Sequence, residues 1–257
     1  MRRAVVWIGL VYAALAASPG HAATVDDLVR AYPDELTGVQ GGMLIWRDGT
    51  HMAVDDGLAH KTFDEQLRNG SIMDQLRLDY PAGVAPGRAP VLDPGRVRNK
   101  AFFNKMYGDC HDGEVAPKLT PVVWLPHSWG RSISITSVNG VDKQLDAVSR
   151  ELDALPADDK AYLYPLGGTY ACRAVADTGQ TSMHAWGAAI DINTARSNYW
   201  MWMRRGSAMP AYENRIPSDI VAIFERHGFI WGGRWSHFDT MHFEYRPELL
   251  VATKKGK

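Results

Sequence analysis

The stretch that decides the fold reads Ser182-Met183-His184-Ala185-Trp186-Gly187-Ala188-Ala189-Ile190-Asp191, and its partner reads Asp239-Thr240-Met241-His242-Phe243-Glu244. Together they supply two imidazoles and one carboxylate, with a further carboxylate, Asp239, three residues before His242. Two His and one carboxylate, with a fourth position left for water, is how hydrolytic zinc sites are built. We therefore predict that His184, Asp191 and His242 bind Zn²⁺ and that Asp239 acts on the water.

The separation of seven residues between His184 and Asp191 restricts the structure that could hold a metal ion. On one helix the two residues would lie about 10 Å apart along the axis, at a rise of about 1.5 Å per residue. On one straight strand an odd separation places them on opposite faces. We therefore predict a loop that presents His184 and turns through Gly187 into the strand that bears Asp191. Asp239 and His242 are expected in a tight turn or a bend at a strand end.

Two other side chains near the second motif have alternative interpretations. Glu244 competes with Asp239 as the group that takes a proton from water, but we expect Glu244 to orient a ligand or bind substrate from outside the ligand set. His237 could hydrogen-bond an oxyanion at the site, and a partly buried position between Trp235 and Phe238 suits it equally well.

The two motifs, preceded by Gly168-Thr169-Tyr170-Ala171-Cys172-Arg173, resemble those of the M15 peptidase family. The family pattern, S-x-H-x-x-G-x-A-x-D with a later D/E-x-x-H, is filled at every defining position. The family includes D-alanyl-D-alanine carboxypeptidases related to the vancomycin-resistance enzymes, and phage endolysins that cut L-alanyl-D-glutamate bonds. The resemblance covers roughly residues 160–247.

By position, the resemblance implies the same three zinc ligands and the same acid/base, Asp239. Arg173 takes the position of the arginine that contacts substrate and stabilises the tetrahedral intermediate, a role that suits a forked, permanently charged guanidinium. By itself Arg173 would be interpreted as part of a surface ion pair. Ser182 is expected to support His184 or the substrate.

The resemblance also implies an α+β fold of the hedgehog and D-alanyl-D-alanine peptidase type, in which a small antiparallel sheet carries the zinc beside helices. We predict an N-terminal accessory region over 23–120, a zinc peptidase domain over 121–250 and a basic tail over 251–257. Residues 80–95, rich in Pro and Gly, predict an irregular connection. The region 23–120 either shapes the cleft or packs into the same domain.

Local patterns predict the other elements. Helices are expected after Thr24, over 62–70, 97–107, 142–155, 195–205 and 218–227. Strands are expected as a hairpin over 43–54, and over 122–125, 133–138, 162–164, 188–193 and 229–231.

The N-terminus predicts export. A basic start, an apolar run over 4–17 and small residues before Ala22 are typical of a signal peptide, which we assign to 1–22 with cleavage after Ala22. The apolar run is shorter than the roughly 20 residues of a membrane span. We expect a periplasmic or secreted protein with no stable membrane span after cleavage.

Charge and cysteine content limit the partners. Removing the predicted signal peptide takes away two arginines and changes the net charge from −1 to −3, so nucleic acid is not an expected partner. Cys110 and Cys172, the two cysteines of the chain, are too few for a cysteine-ligated zinc site. In an exported protein they could form a disulfide, with two unpaired thiols as the alternative.

Signal peptide, site and resemblance together favour an exported zinc peptidase acting on peptidoglycan stem peptides, first as a D-alanyl-D-alanine carboxypeptidase. An L-alanyl-D-glutamate endopeptidase is the alternative, because the short Asp-x-x-His-Phe-Glu form resembles the endolysin-like branch. A silent metal-binding or cell-wall-binding module, as in hedgehog-type domains, is disfavoured by Asp239 and Arg173, since binding alone needs no water-activating carboxylate.

Overall fold

The computed structural model describes residues 22–83, 90, 92–175 and 178–250. All but the last residue of the predicted signal peptide, and the whole predicted tail 251–257, lie outside these ranges. Within them, no helix has the length and apolarity to cross a membrane.

Helices and small antiparallel sheets alternate along the chain, which agrees with the predicted α+β class. The helices are α1 (Val25–Ala31), α2 (Phe63–Asn69), α3 (Ile72–Leu76), α4 (Lys100–Tyr107), α5 (Val141–Asp153), α6 (Ala157–Lys160), α7 (Trp200–Met203) and α8 (Ser218–Arg226). The strands are β1 (Leu36–Gln40), β2 (Met43–Trp46), β3 (His51–Ala53), β4 (Leu119–Trp124), β5 (Arg131–Thr136), β6 (Ala189–Asp191), β7 (Phe229–Trp231) and β8 (His242–Tyr245). They form three antiparallel sheets in the orders β1-β2-β3, β4-β5 and β6-β8-β7.

The β6-β8-β7 sheet brings the two sequence motifs together. Strand β8 lies in the centre, and its register pairs Asp191 with His242. Directly opposed residues of an antiparallel pair place their side chains on the same face. The intervening residue, Phe243, points to the opposite face and stacks on Phe224 of α8, with ring centroids 3.8 Å apart. The alternation of β8 therefore separates a site face from a core face.

One hydrophobic core includes side chains from both predicted regions, 23–120 and 121–250. At the junction, Phe103 of α4 packs on Trp186 with ring centroids 5.0 Å apart. The indole nitrogen of Trp186 donates to Asn104 Oδ1 at 2.8 Å. The N-terminal region thus contacts the loop that carries His184, while the division at residue 120 stays a prediction.

Several local predictions are confirmed. Thr24 and Thr62 cap α1 and α2 through capping boxes with Asp27 and Glu65. Strands β2 and β3 form the predicted hairpin, to which β1 adds a third strand. The helix expected over 97–107 begins later, at Lys100, because the Asn99 side chain accepts from Phe102 N at 2.8 Å and caps it there.

Two local predictions are wrong. The expected strand over 162–164 is a turn, because Tyr162 N and Leu163 N bond back to carbonyls at the end of α6. The expected helix over 195–205 is reduced to α7. Before it, Asn198 N donates to Thr240 Oγ1 at 2.7 Å and Tyr199 pairs with Asp239, and these ties hold the chain extended.

Candidate metal centre

The segment that presents His184 has the predicted form of a loop turning into a strand. His184 lies on a single 3₁₀ turn, Met183–Trp186, and the side chain of Ser182 caps this turn by accepting from His184 N at 3.3 Å. Gly187 ends the turn with φ of 65°, a left-handed conformation that favours glycine, and β6 follows two residues later.

Three side-chain atoms from the two motifs converge. His184 Nε2 lies 3.1 Å from Asp191 Oδ1, and His242 Nδ1 lies 3.0 Å from the same oxygen. The two imidazole nitrogens are 3.2 Å apart. Ligands about 2.0 Å from a tetrahedral zinc ion are separated by about 3.3 Å, so this triangle has the dimensions of one face of a zinc site.

The second nitrogen of each imidazole has a hydrogen-bond acceptor behind it. His184 Nδ1 donates to the carbonyl of Thr169. His242 Nε2 donates to Glu244 Oε2 at 2.9 Å. When both imidazoles are neutral, this arrangement leaves an unprotonated nitrogen of each ring facing the Asp191 carboxylate, so that three electron-pair donors meet. Such a donor set fits a divalent cation, and acceptors behind metal-binding imidazoles are the usual arrangement.

The electrostatics of the cluster favour a positive charge among its side chains. Burial alone would lower the pKa of His242, but hydrogen bonds to Asp191 and Glu244 outweigh it and raise this pKa to about 9. Burial would raise the pKa of Asp191, yet the two imidazoles hold it well below its usual range. Both shifts show that a positive charge next to Asp191 and Glu244 is favoured, and a divalent cation held by the three donor atoms would supply it.

Asp239 lies in the turn before β8, as predicted. Its backbone N donates to Gly232 O at 3.0 Å, which anchors the turn. The side-chain Oδ1 is buried and is one of the atoms in the described ranges that lack a hydrogen-bond partner. Burial and the nearby Asp191 raise the pKa of Asp239 to about 7. A carboxyl group with this pKa can both accept and donate a proton near neutral pH.

These groups line one cavity of about 210 Å³. The predicted site residues in its wall are Arg173, Ser182, His184, Asp191, Asp239 and His242. The Arg173 side chain is 49% exposed, and its Nη2 lies 3.9 Å from Asp191 Oδ2. Glu244 is fully buried behind His242, out of reach of a substrate. His237 does not line the cavity, because its Nδ1 bonds Asp93 Oδ2 at 2.8 Å.

Sequence reasoning missed the contribution of the N-terminal region to this cavity. Arg96 and Arg98 line it, although they lie far from both motifs in the chain. Arg98 Nη2 forms an ion pair with Glu244, and Arg96 lies over the ring of Trp235. The only sequence signal is two arginines after the Pro- and Gly-rich stretch, and such residues are usually solvated.

The predicted disulfide between Cys110 and Cys172 is present. It links the polar loop after α4 to the residue before Arg173. His111 lies nearby, and its Nδ1 is 3.6 Å from Cys172 Sγ. Because both thiols are used in the disulfide, this second cluster of possible metal ligands is not available to a cation.

Two imidazoles and a carboxylate beside a free acid in a cavity define the kind of site that metal-dependent hydrolases use. Residues 176–245 match the family model Peptidase_M15_4, described as D-alanyl-D-alanine carboxypeptidase. The match supports the resemblance to M15 peptidases noted in the sequence, and it covers the segment that carries both motifs. No curated protein and no solved structure matches the chain.

Proposed function

We propose that this protein is an exported zinc metallopeptidase that hydrolyses peptidoglycan stem peptides, acting as a D-alanyl-D-alanine carboxypeptidase. The observation that carries the proposal is the triangle of His184, Asp191 and His242, with the unpartnered oxygen of Asp239 in the same cavity. The family match supports the substrate class. In this proposal the β6-β8-β7 sheet is the zinc-bearing sheet of a hedgehog or D-alanyl-D-alanine peptidase type of domain.

Each side chain of the site has its own role in the proposed reaction. His184, Asp191 and His242 would hold Zn²⁺, which when bound lowers the pKa of water to about 7 and polarises a carbonyl. Asp239 takes a proton from the attacking water and passes it to the leaving amine. Arg173, half exposed in the cavity wall, binds a substrate carboxylate or the oxyanion with its forked guanidinium. Ser182 holds the turn of His184, and Glu244 orients His242.

The alternative bond is the one between L-alanine and D-glutamate. The sequence form around His242 favours it, whereas the description of the matching family favours release of a terminal D-alanine. A stem pentapeptide ending in D-alanyl-D-alanine distinguishes the two by mass spectrometry. Loss of one alanine supports the carboxypeptidase, and a cut after L-alanine supports the endopeptidase. No cleavage by protein that contains zinc would refute both and favour a binding module.

The metal is tested separately. Purified protein is expected to hold about one zinc ion per chain, as a single three-ligand site requires. A chelator should remove activity, and added zinc should restore it. Activity that persists in zinc-free protein would contradict the proposed chemistry.

Export is part of the proposal and rests on two observations. The first 22 residues have the pattern of a signal peptide, and the disulfide suits the oxidising periplasm or exterior. N-terminal sequencing of protein recovered outside the cytoplasm should begin at Ala23. Intact Met1 on the mature protein would contradict cleavage.

A further inference from the structure

A buried arginine from the N-terminal region reaches the back of the metal centre. Arg98 lies just before α4, and its side chain is 7% exposed. Its Nη2 donates to Oε2 of Glu244. The same oxygen accepts the hydrogen bond from His242 Nε2 at 2.9 Å. One carboxylate oxygen therefore joins Arg98 to a proposed metal ligand.

The other oxygen of Glu244 belongs to a second part of the same network. Arg246 Nη1 lies 3.2 Å from Glu244 Oε1, and Arg246 Nε lies 2.5 Å from Glu248 Oε1. Tyr32, the residue that follows α1, donates to Glu248 Oε2 at 2.7 Å. Two guanidinium and two carboxylate groups thus balance each other in the protein interior, with the His242 ring as a hydrogen-bond donor at one end.

The two arginines differ in what they control. Arg246 holds Oε1, whereas Arg98 holds Oε2, the oxygen that bonds the His242 ring. Without Arg98, the Glu244 carboxylate keeps Arg246 on Oε1 and the His242 ring on Oε2, but loses the charged donor that fixes the position of Oε2. The ring of His242 would then lose the defined direction of its hydrogen bond.

We propose that Arg98 is a positioning residue of the metal centre, which fixes the His242 ring through Oε2 of Glu244. Arg98 lies far outside the segment 176–245 that matches the family model, so the contact comes from the part of the chain whose role was open. The inference rests on the proposed function only in treating His242 as a metal ligand.

The test compares Arg98→Met with Lys61→Met in the full mature protein. Lys61 is a matched control, because its side chain is also 7% exposed and bonds two acids, Asp56 and Asp74, but does not line the cavity. Zinc affinity is measured by competition with a chromophoric chelator, and the visible spectrum is recorded with Co²⁺ in place of zinc. Thermal unfolding reports stability for both variants.

We expect Arg98→Met to weaken zinc binding by about 10- to 100-fold and to alter the Co²⁺ spectrum. This is the usual effect of losing a residue that supports a metal-binding side chain through hydrogen bonds. Lys61→Met should lower the melting temperature and change neither metal readout. Arg98→Gln, which keeps a donor but removes the charge, serves if the Met variant does not fold, and should weaken zinc binding by a smaller factor.

Wild-type zinc affinity and an unchanged Co²⁺ spectrum in a folded Arg98 variant would overturn the proposal. Failure of the proposed function looks different, because it appears in the wild-type protein. Zinc-loaded wild type that does not cleave stem peptides refutes the peptidase and leaves the Arg98 comparison valid. Wild type that binds no zinc refutes the metal centre and the role of Arg98 together.

Discussion

At the scale of single residues, three carboxylates near His242 differ because of their neighbours. Asp191 faces two imidazoles, and they keep it ionised. Burial would raise the pKa of Glu244, but Arg98 and His242 outweigh it and hold this pKa well below its usual range. Asp239 has an unpartnered oxygen, and its pKa is raised to about 7. Asp239 is therefore the carboxylate among these three that is able to exchange a proton near neutral pH.

Asp239→Asn should leave one zinc ion per chain and lower kcat on a stem peptide by about 10²- to 10⁴-fold, the usual contribution of a general base. The amide has the same shape but does not accept the proton of water. Asp142→Asn is a matched control, because Asp142 also has a buried, unpartnered oxygen but does not line the cavity. Loss of zinc from the Asp239 variant would place Asp239 among the ligands.

Zinc affinity should rise with pH, because the pKa of His242 is raised to about 9 and zinc must displace its proton. Between pH 6 and pH 8 the apparent dissociation constant should fall by about 100-fold, tenfold per unit for one proton. In zinc-free protein, the stability contributed by His242 changes with pH in the direction opposite to the zinc affinity. The His242 contribution to the free energy of unfolding is fully present below the ordinary imidazole pKa of 6.5 and is lost as pH rises through the folded-state pKa of about 9. Chelator competition across this range measures the slope, and a constant affinity would contradict it.

At the scale of elements, spacing alone predicted the shape around His184 and Asp191. A helix and a straight strand were both excluded by geometry, which left a turn through Gly187 into a strand. The structure has this turn and this strand. A tight turn joining Asp239 to His242 was predictable in the same way, and His242 N does donate to Asp239 O at 3.2 Å.

Gly187→Ala should destabilise the fold by about 1–3 kcal/mol, because a non-glycine residue is strained at this backbone conformation. At φ of +65° its Cβ would also lie 2.7 Å from Leu119 Cδ2. Displacement of the turn should weaken zinc binding as well. Gly206→Ala separates the two causes, because Gly206 has the same φ of +65° and open space around its Cβ. Urea unfolding and zinc titration are the measurements, and equal effects of the two variants would exclude the Leu119 contact as a cause.

Other elements depend on contacts that local sequence does not encode. The aromatic run near Trp200 favours a long helix by pattern, but hydrogen bonds from Asn198 to Thr240 and from Trp200 to Phe238 hold its start extended. These ties join residues about 40 positions apart, so no window of local sequence contains them. The strand expected over 162–164 failed for a local reason, because Tyr162 N and Leu163 N donate to carbonyls three residues earlier and continue the turn after α6.

At the scale of the whole molecule, the convergence of His184, Asp191 and His242 beside Asp239 was predictable, because it follows from residue types and spacings within two short motifs. The residues that support these side chains from behind were not predictable. Arg98 reaches Glu244 across 146 positions of chain, and nothing in either local sequence marks the pair. The same holds for Phe103 and Trp186, which join the N-terminal region to the loop of His184. Contacts between distant parts of the chain therefore determine how the side chains of the two motifs are supported.

The disulfide is the covalent form of such a long-range contact. Cys110 and Cys172 are 62 positions apart, and Arg173 follows directly. Replacing both cysteines by serine should lower the free energy of unfolding by about 4 kcal/mol in the chain-entropy model. Because the segment before Arg173 loses its anchor, kcat/KM on a stem peptide should fall. Zinc should stay at one ion per chain, since the three proposed ligands are held by β6, β8 and the turn of His184.

Reduction supplies an independent check on the same contact. A mild reductant should bring the wild-type protein toward the stability and kcat/KM of the double-serine variant and leave that variant unchanged. Urea unfolding and stem-peptide kinetics, each with and without reductant, measure this. If kcat/KM stays at its wild-type value while stability falls, the disulfide acts on the fold alone, and the position of Arg173 must come from its noncovalent contacts around Asp191.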